Sequence, residues 1–130
     1  MGKRSIFYFD DEEQSLDLFR EIFAAEYDVR VAATLSEARR MLRERPADVI
    51  ISDQNMPEIS GTEFLVEAAK EYPRSYRVML TGSMLAGEAM PEILSGIVQF
   101  FIPKPWTEEE MRRALERAGL QVDLNSLRDE

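Results

Sequence analysis

The sequence predicts an open α/β sandwich, a parallel sheet with helices on both faces. Short apolar runs alternate with stretches whose apolar residues recur at helical spacing. The runs are separated by helices of about ten or more residues, as a crossover between parallel strands requires. No internal repeat, low-complexity tract or Gly/Ser-rich linker divides the chain, so its 130 residues are read as one domain.

Ser5 to Phe9 is a short apolar and aromatic run ending at an acidic pair, which suits a buried first strand. From Glu12 to Ala25, Leu16, Phe19, Ile22 and Phe23 recur at helical spacing. Tyr27 to Val31 reads as the second strand. Ser36 to Arg45 reads as a helix with Ala38, Met41 and Leu42 available for packing, stopped by Pro46. Asp48 to Ser52 is the third strand, followed by a Gly/Pro-bearing loop and a helix from Thr62 to Glu71 that ends at Tyr72-Pro73. Tyr76 to Leu80 makes the fourth strand and Ile97 to Ile102 the fifth. Between them Gly87, Pro91 and Gly96 interrupt a region where a helix is expected, so an irregular stretch is predicted, with a short helix from Pro91 to Ser95. The last helix is predicted from Thr107 to Ala118, closed by Gly119 as a left-handed C′ residue. The tail from Leu120 to Glu130 reads equally as a helical extension or a frayed linker.

Composition excludes several kinds of chemistry. With 25 acidic and 16 basic residues and a net charge of −9, the chain repels phosphate backbones and anionic lipid, so neither direct nucleic-acid nor membrane binding is expected. Having no cysteine and no histidine, it has no disulfides, thiolate sites, Cys nucleophile, Ser-His-Asp triad or usual zinc site. No apolar run approaches the roughly 20 residues of a membrane helix, and the amino terminus does not resemble a signal peptide. A soluble, cytoplasmic protein is the expectation.

In open α/β sheets ligands sit beyond the carboxyl ends of the strands. Asp10-Asp11 ends the first strand, Asp53 the third, Thr81 the fourth and Lys104 the fifth. Taken singly, Asp10-Asp11 fits a helix cap, Thr81-Gly82 a turn, and Lys104 a solvated lysine. Taken together they place three carboxylates at one pole, where mutual repulsion calls for a cation or protons. Mg²⁺ suits such an oxygen donor set. With a hydroxyl and an ammonium beside it, the pole is suited to bind a phosphoryl group, and Asp53 to accept it as a nucleophile.

Four stretches carry a family resemblance: Phe9-Asp10-Asp11-Glu12, Ser52 to Pro57 with Gly61 following, Met79-Leu80-Thr81-Gly82, and Pro103-Lys104-Pro105-Trp106. From about Arg4 to Ala118 the sequence resembles response-regulator receiver domains. That resemblance implies a flavodoxin-like, doubly wound five-stranded parallel sheet of order 2-1-3-4-5 with five helices. It implies Mg²⁺ held by Asp11, Asp53 and the backbone carbonyl of Asn55, with Asp10 acting mainly through water. Asp53 would take a phosphoryl group from the phosphohistidine of a histidine kinase or phosphotransfer protein. Thr81 would hydrogen-bond the phosphate, Lys104 would pair with it, and the Lys104-Pro105 bond would be cis. Phe101, three residues before the lysine, would be the aromatic switch, moving by packing alone.

The small neutral residues Asn55 and Ser83 leave room for a hydrolytic water, so a short phosphoryl lifetime is expected. Residues 1–119 would form the receiver, and 120–130 a C-terminal extension or the start of a linker to an output domain. Whether that output domain is covalently linked or separate, and whether the chain forms a homodimer, the sequence leaves open. Three other functions fit these residues less well. A haloacid-dehalogenase-like phosphatase wants an Asp-x-Asp nucleophile on its first strand, whereas Asp10-Asp11 here is followed by Glu12-Glu13. A phosphorylation-independent interaction module would have no need of the intact acid, hydroxyl and lysine set. A nucleotide-binding domain would want a Gly-rich turn after the first strand, which is missing.

Overall fold

The computed structural model describes residues 2–82 and 95–128. The elements run β1 Ser5–Phe9, α1 Glu13–Phe23, β2 Asp28–Ala32, α2 Leu35–Glu44, β3 Val49–Asp53, α3 Gly61–Glu71, β4 Tyr76–Thr81, β5 Phe100–Pro103 and a last helix, α4, Glu108–Arg128. The five strands form one parallel sheet in the order β2-β1-β3-β4-β5, as the resemblance implies, with four helices among the described residues. The expected short helix at Pro91 to Ser95, with Gly87 and Ser83, falls largely or wholly outside them.

Strand periodicity divides the core in two. Ile6, Tyr8, Val49, Ile51, Tyr76, Val78, Leu80 and Ile102 pack with α1 and α4 through Leu16, Phe19, Phe23, Met111, Leu115 and Ala118. On the other face Phe7, Phe9, Ile50 and Met79 pack with α2 and α3 through Ala38, Leu42, Phe64, Leu65 and Ala68. The middle strands β3 and β4 are buried throughout, which is why they read as continuous apolar runs rather than alternating ones. Phe100 and Phe101, adjacent in β5, go to opposite faces.

Capping sets the helix starts. Thr34 caps α2 by accepting from the Glu37 N–H, Ser60 and Glu63 form a reciprocal capping box at α3, and Thr107 and Glu110 do the same at α4. At α1 the N-cap is Glu12, with no side-chain cap bond; Asp10 instead accepts from the Glu12 N–H at 2.9 Å.

The predicted helix end at Gly119 is corrected. The helix continues through Gly119 to Arg128, and among the described residues Gly96 is the glycine with positive φ. The glycine serves packing rather than termination. An added Cβ at 119 would lie 3.0 Å from Arg4 Nε, and the Arg4 guanidinium reaches past it to Asp123 at 3.2 Å. The tail residues 120–128 are therefore helical.

An unexpected feature is Arg77, buried inside β4. Its guanidinium donates to the carbonyls of Ile97 at 2.6 Å, Ser75 at 2.8 Å and Gly96 at 3.2 Å, and to Ser75 Oγ at 3.0 Å. It thus ties the approach to β5 to the start of β4, and burial lowers its pKa.

Gly61 meets the backbone that leaves β3. A Cβ there would sit 2.5 Å from the Asp53 carbonyl oxygen and 2.8 Å from Gln54 Cα, atoms fixed by the Gln54 N–H bond to Leu80 and the Gly61 N–H bond to Gln54. Gly61→Ala is expected to cost about 1–3 kcal/mol and to lower the urea midpoint. An unchanged midpoint would show that this close approach does not constrain the Asp53 loop.

Candidate functional site

Register brings the strand ends level. Phe9 pairs with Ser52, Asp53 with Leu80, and Thr81 with Pro103, so Asp10, Asp53, Thr81 and Lys104 all emerge at one pole. Backbone bonds hold the exits: Asp10 N–H to Ala32 O at 3.2 Å, Gln54 N–H to Leu80 O and Lys104 N–H to Thr81 O, both at 2.9 Å. Asp10, Asp53 and Lys104 each follow by two residues a side chain of the α1/α4 core, Tyr8, Ile51 and Ile102. Strand alternation sends them to the same side.

Ligand oxygens of Asp10, Asp11 and Asp53 lie within 4.8 Å of one another, with Asp10 and Asp53 buried and Asp11 exposed. Lys104 answers this charge. Its Nζ lies 2.6 Å from Glu12 Oε1, 3.1 Å from Asp10 Oδ2 and 3.3 Å from Asp53 Oδ2. Asp10 has two further donors, the Tyr8 phenol at 2.6 Å and the Glu12 N–H at 2.9 Å, so this buried carboxylate is well satisfied. Asp53 meets the same ammonium at 3.3 Å. Burial, then the Asp10 charge, raise its pKa above the ordinary carboxylate value, against the opposing pull of Lys104. Burial works to lower the Lys104 pKa, but bonds to Glu12 and Asp10 outweigh it and the net shift is upward, so the ammonium stays charged. Burial, followed by Asp10, likewise raises the Tyr8 phenol, which remains a donor.

Glu12, Ser15, Leu18, Asp53, Asn55, Gly82, Lys104, Pro105 and Trp106 line a cleft of about 470 Å³ opening onto this cluster. The Lys104-Pro105 bond is cis. Thr81 is buried at the end of β4 beside the cleft residue Gly82. Phe101 does not line the cleft. It packs partly buried on the α2/α3 side, the side to which alternation also assigns Thr81.

Two members of the cluster escaped sequence reasoning, Tyr8 as a donor to Asp10 and Glu12 as the nearest partner of Lys104. Tyr8 was legible in principle, since residues i and i+2 of a strand share a face. Nothing local marks Glu12, whose role depends on Lys104 from 92 positions away.

The response regulator receiver domain family matches residues 6–116. The chain belongs to this family. Receiver domains are signalling domains of two-component regulators rather than conventional enzymes. The hydrogenase transcriptional regulatory protein HoxA of Cupriavidus necator is 32% identical over 122 residues, covering 91% of this chain and 25% of its own length. The chain thus spans about a quarter of the length of such relatives. The structure resembles that of a response regulator receiver domain protein from Clostridium thermocellum, with TM-score 0.83, 26% identity, and coverage of 95% of this chain and 98% of that one. A structure described as adenylate cyclase from Rhodopirellula baltica matches with TM-score 0.91 and 27% identity over 99% of this chain and 96% of its own. Among the described residues no helix of this receiver is long and apolar enough to cross a membrane.

A carboxyl whose pKa is higher in the fold than in the unfolded chain favours folding only while protonated. That contribution is lost as pH rises through the folded value, so at neutral pH ionised Asp53 weighs against the fold. In chelator at pH 7, Asp53→Asn is therefore expected to raise the melting temperature. A lower melting temperature would mean that Lys104 more than compensates the Asp53 charge.

Proposed function

We propose that this receiver accepts a phosphoryl group on Asp53 from the phosphohistidine of a histidine kinase or phosphotransfer protein. The observation that carries the reading is the meeting of Asp10, Asp11 and Asp53 within 4.8 Å with the Lys104 ammonium 3.3 Å from Asp53. All the donors are hard oxygens and two of the carboxylates are buried, a set that fits Mg²⁺ better than a softer ion. Asp11, Asp53 and the Asn55 carbonyl would hold it, with Asp10 acting mainly through water. When bound, Mg²⁺ supplies positive charge against the phosphoryl oxygens.

The chain's own groups do the rest. An Asp53 oxygen forms the new bond to phosphorus as the phosphorus–nitrogen bond of the donor breaks, and the electron pair and a proton stay with the departing imidazole. Lys104 lies where it neutralises charge on the transferring group, and the Thr81 hydroxyl would bond an acceptor oxygen of the product. Glu12 holds the same ammonium at 2.6 Å and competes for it with a phosphoryl group on Asp53.

Phosphorylation adds charge and acceptors at Asp53, the last residue of β3, whose register partner Leu80 precedes Thr81 in β4. Movement of Thr81 would free space on the α2/α3 side, into which Phe101 turns by packing alone. The altered surface would act on an output domain, linked or separate, with residues 1–119 forming the receiver and the remainder its extension. A cytoplasmic setting goes with this reading, since the phosphohistidine donor would be met there.

Intact mass after incubation with Mg²⁺ and acetyl phosphate tests the reading. A Mg²⁺-dependent gain of one phosphoryl group is expected in the wild type and none in Asp53→Asn. No gain by the folded wild type with any donor would overturn the phosphoacceptor role. Mg²⁺ at a hundredfold excess over its Kd is further expected to stabilise the wild-type fold by about 2.7 kcal/mol. An unchanged melting temperature at saturating Mg²⁺ would count against the metal site.

A further inference from the structure

The loop that carries Asn55 is pinned at its base by Gln54. The Gln54 backbone is held on both sides, its N–H donating to the Leu80 carbonyl and its own carbonyl accepting from the Gly61 N–H, both at 2.9 Å. Its side-chain Oε1 accepts from the Thr62 N–H at 2.9 Å and from the Thr62 hydroxyl at 3.2 Å. Thr62 is the second residue of α3, and its N–H is one of the four at a helix start that have no partner within the helix. That helix start already carries the Ser60 and Glu63 capping box. The bonds from Gln54, 8 residues earlier in the chain, add a tie between α3 and the end of β3 that local capping does not supply.

We propose that Gln54 is a positioning residue for the divalent-cation site, acting through the backbone of Asn55. This rests on the Asn55 carbonyl being a ligand of the ion, as proposed for the site. Asn55 follows Gln54 directly, is exposed and lines the cleft, so burial does not fix it. Downstream, Met56 and Ile59 pack on the α2/α3 core and Glu58 accepts from the Leu35 N–H at 3.1 Å. The Asn55 carbonyl therefore hangs between Met56 and Gln54. On the β3 side it is held by a residue whose N–H, carbonyl and amide oxygen are all engaged. A loop ordered before the cation arrives leaves less conformational freedom for binding to remove. An apolar residue of similar size at 54 would keep the backbone bonds and lose the tie to α3.

The test is calorimetric Mg²⁺ titration of the full 130-residue chain, with amide hydrogen exchange followed on the same proteins. Gln54→Leu keeps most of the side-chain bulk and removes its acceptor. It is expected to bind Mg²⁺ a few-fold more weakly than the wild type, with about tenfold as the ceiling set by the net worth of one neutral hydrogen bond. Thr62→Val, which loses the hydroxyl and keeps the N–H, is expected to fall between the two. Thr62→Ser, which keeps both donors, should bind as the wild type does. Adding Thr62→Val to Gln54→Leu should weaken binding no further. Coupling between two sites is reciprocal, so saturating Mg²⁺ should slow exchange of the Thr62 amide in the wild type and do so less in Gln54→Leu. Should Gln54→Leu not fold, Thr62→Val decides alone. Variants that match the affinity of a wild type that binds the ion overturn the role of Gln54 and leave the metal site standing. A wild type with no saturable Mg²⁺ binding overturns the metal reading and the role of Gln54 with it.

Discussion

The rest of the structure depends on one electrostatic constraint, the gathering of three carboxylates at the carboxyl pole of the sheet. Asp10 and Asp53 are buried there and Asp11 stands at the rim. In a partly desolvated place such charges repel strongly, and an unpaired buried carboxylate is costly. Asp10 is secured by a phenol, a backbone N–H and an ammonium. Asp53 shares the last, at 3.3 Å, while burial and the Asp10 charge raise its pKa. That imbalance leaves Asp53 the group with most to gain from a cation or a change in its own chemistry.

The sheet also sets which faces the groups at this pole address. The pole is built from the ends of β1, β3, β4 and β5, and strand alternation assigns its groups to two faces. Asp53 and Lys104 stand over the α1/α4 layer, Thr81 and Phe101 over the α2/α3 layer. A charge added at Asp53 pulls on Lys104, whose backbone N–H is bonded to the Thr81 carbonyl at 2.9 Å. This backbone bond joins the two faces at the site. Proposed switching by Phe101 uses that route, and Glu12 opposes it by holding Lys104 in the resting arrangement.

Most of the fold was legible because its signals are local. The buried strands read as apolar runs, and α1 to α3 stand within a residue or two of their predicted bounds, as caps and prolines dictate. Gly119 misled because a helix-ending glycine and one that makes room for a side chain look alike in sequence. Only the packing of Arg4 against it tells them apart. In the site, residues at strand ends could be found from position alone, since a parallel sheet aligns those ends. The Lys104–Glu12 contact could not, because it joins the two ends of the sequence. Arg77 was hidden for a related reason: most of its guanidinium partners are backbone carbonyls, and these leave no trace in residue identity.

Phosphoryl acceptance at the acidic pole rests on the binding of a divalent cation through the named carboxylates. Calorimetric titration of the wild type and of Asp11→Asn with Mg²⁺ measures this, Asp11 being chosen because its exposure makes the substitution harmless to folding. One saturable site per chain, lost or greatly weakened in Asp11→Asn, is the result the account requires. No saturable binding, or equal affinity in the variant, would contradict it.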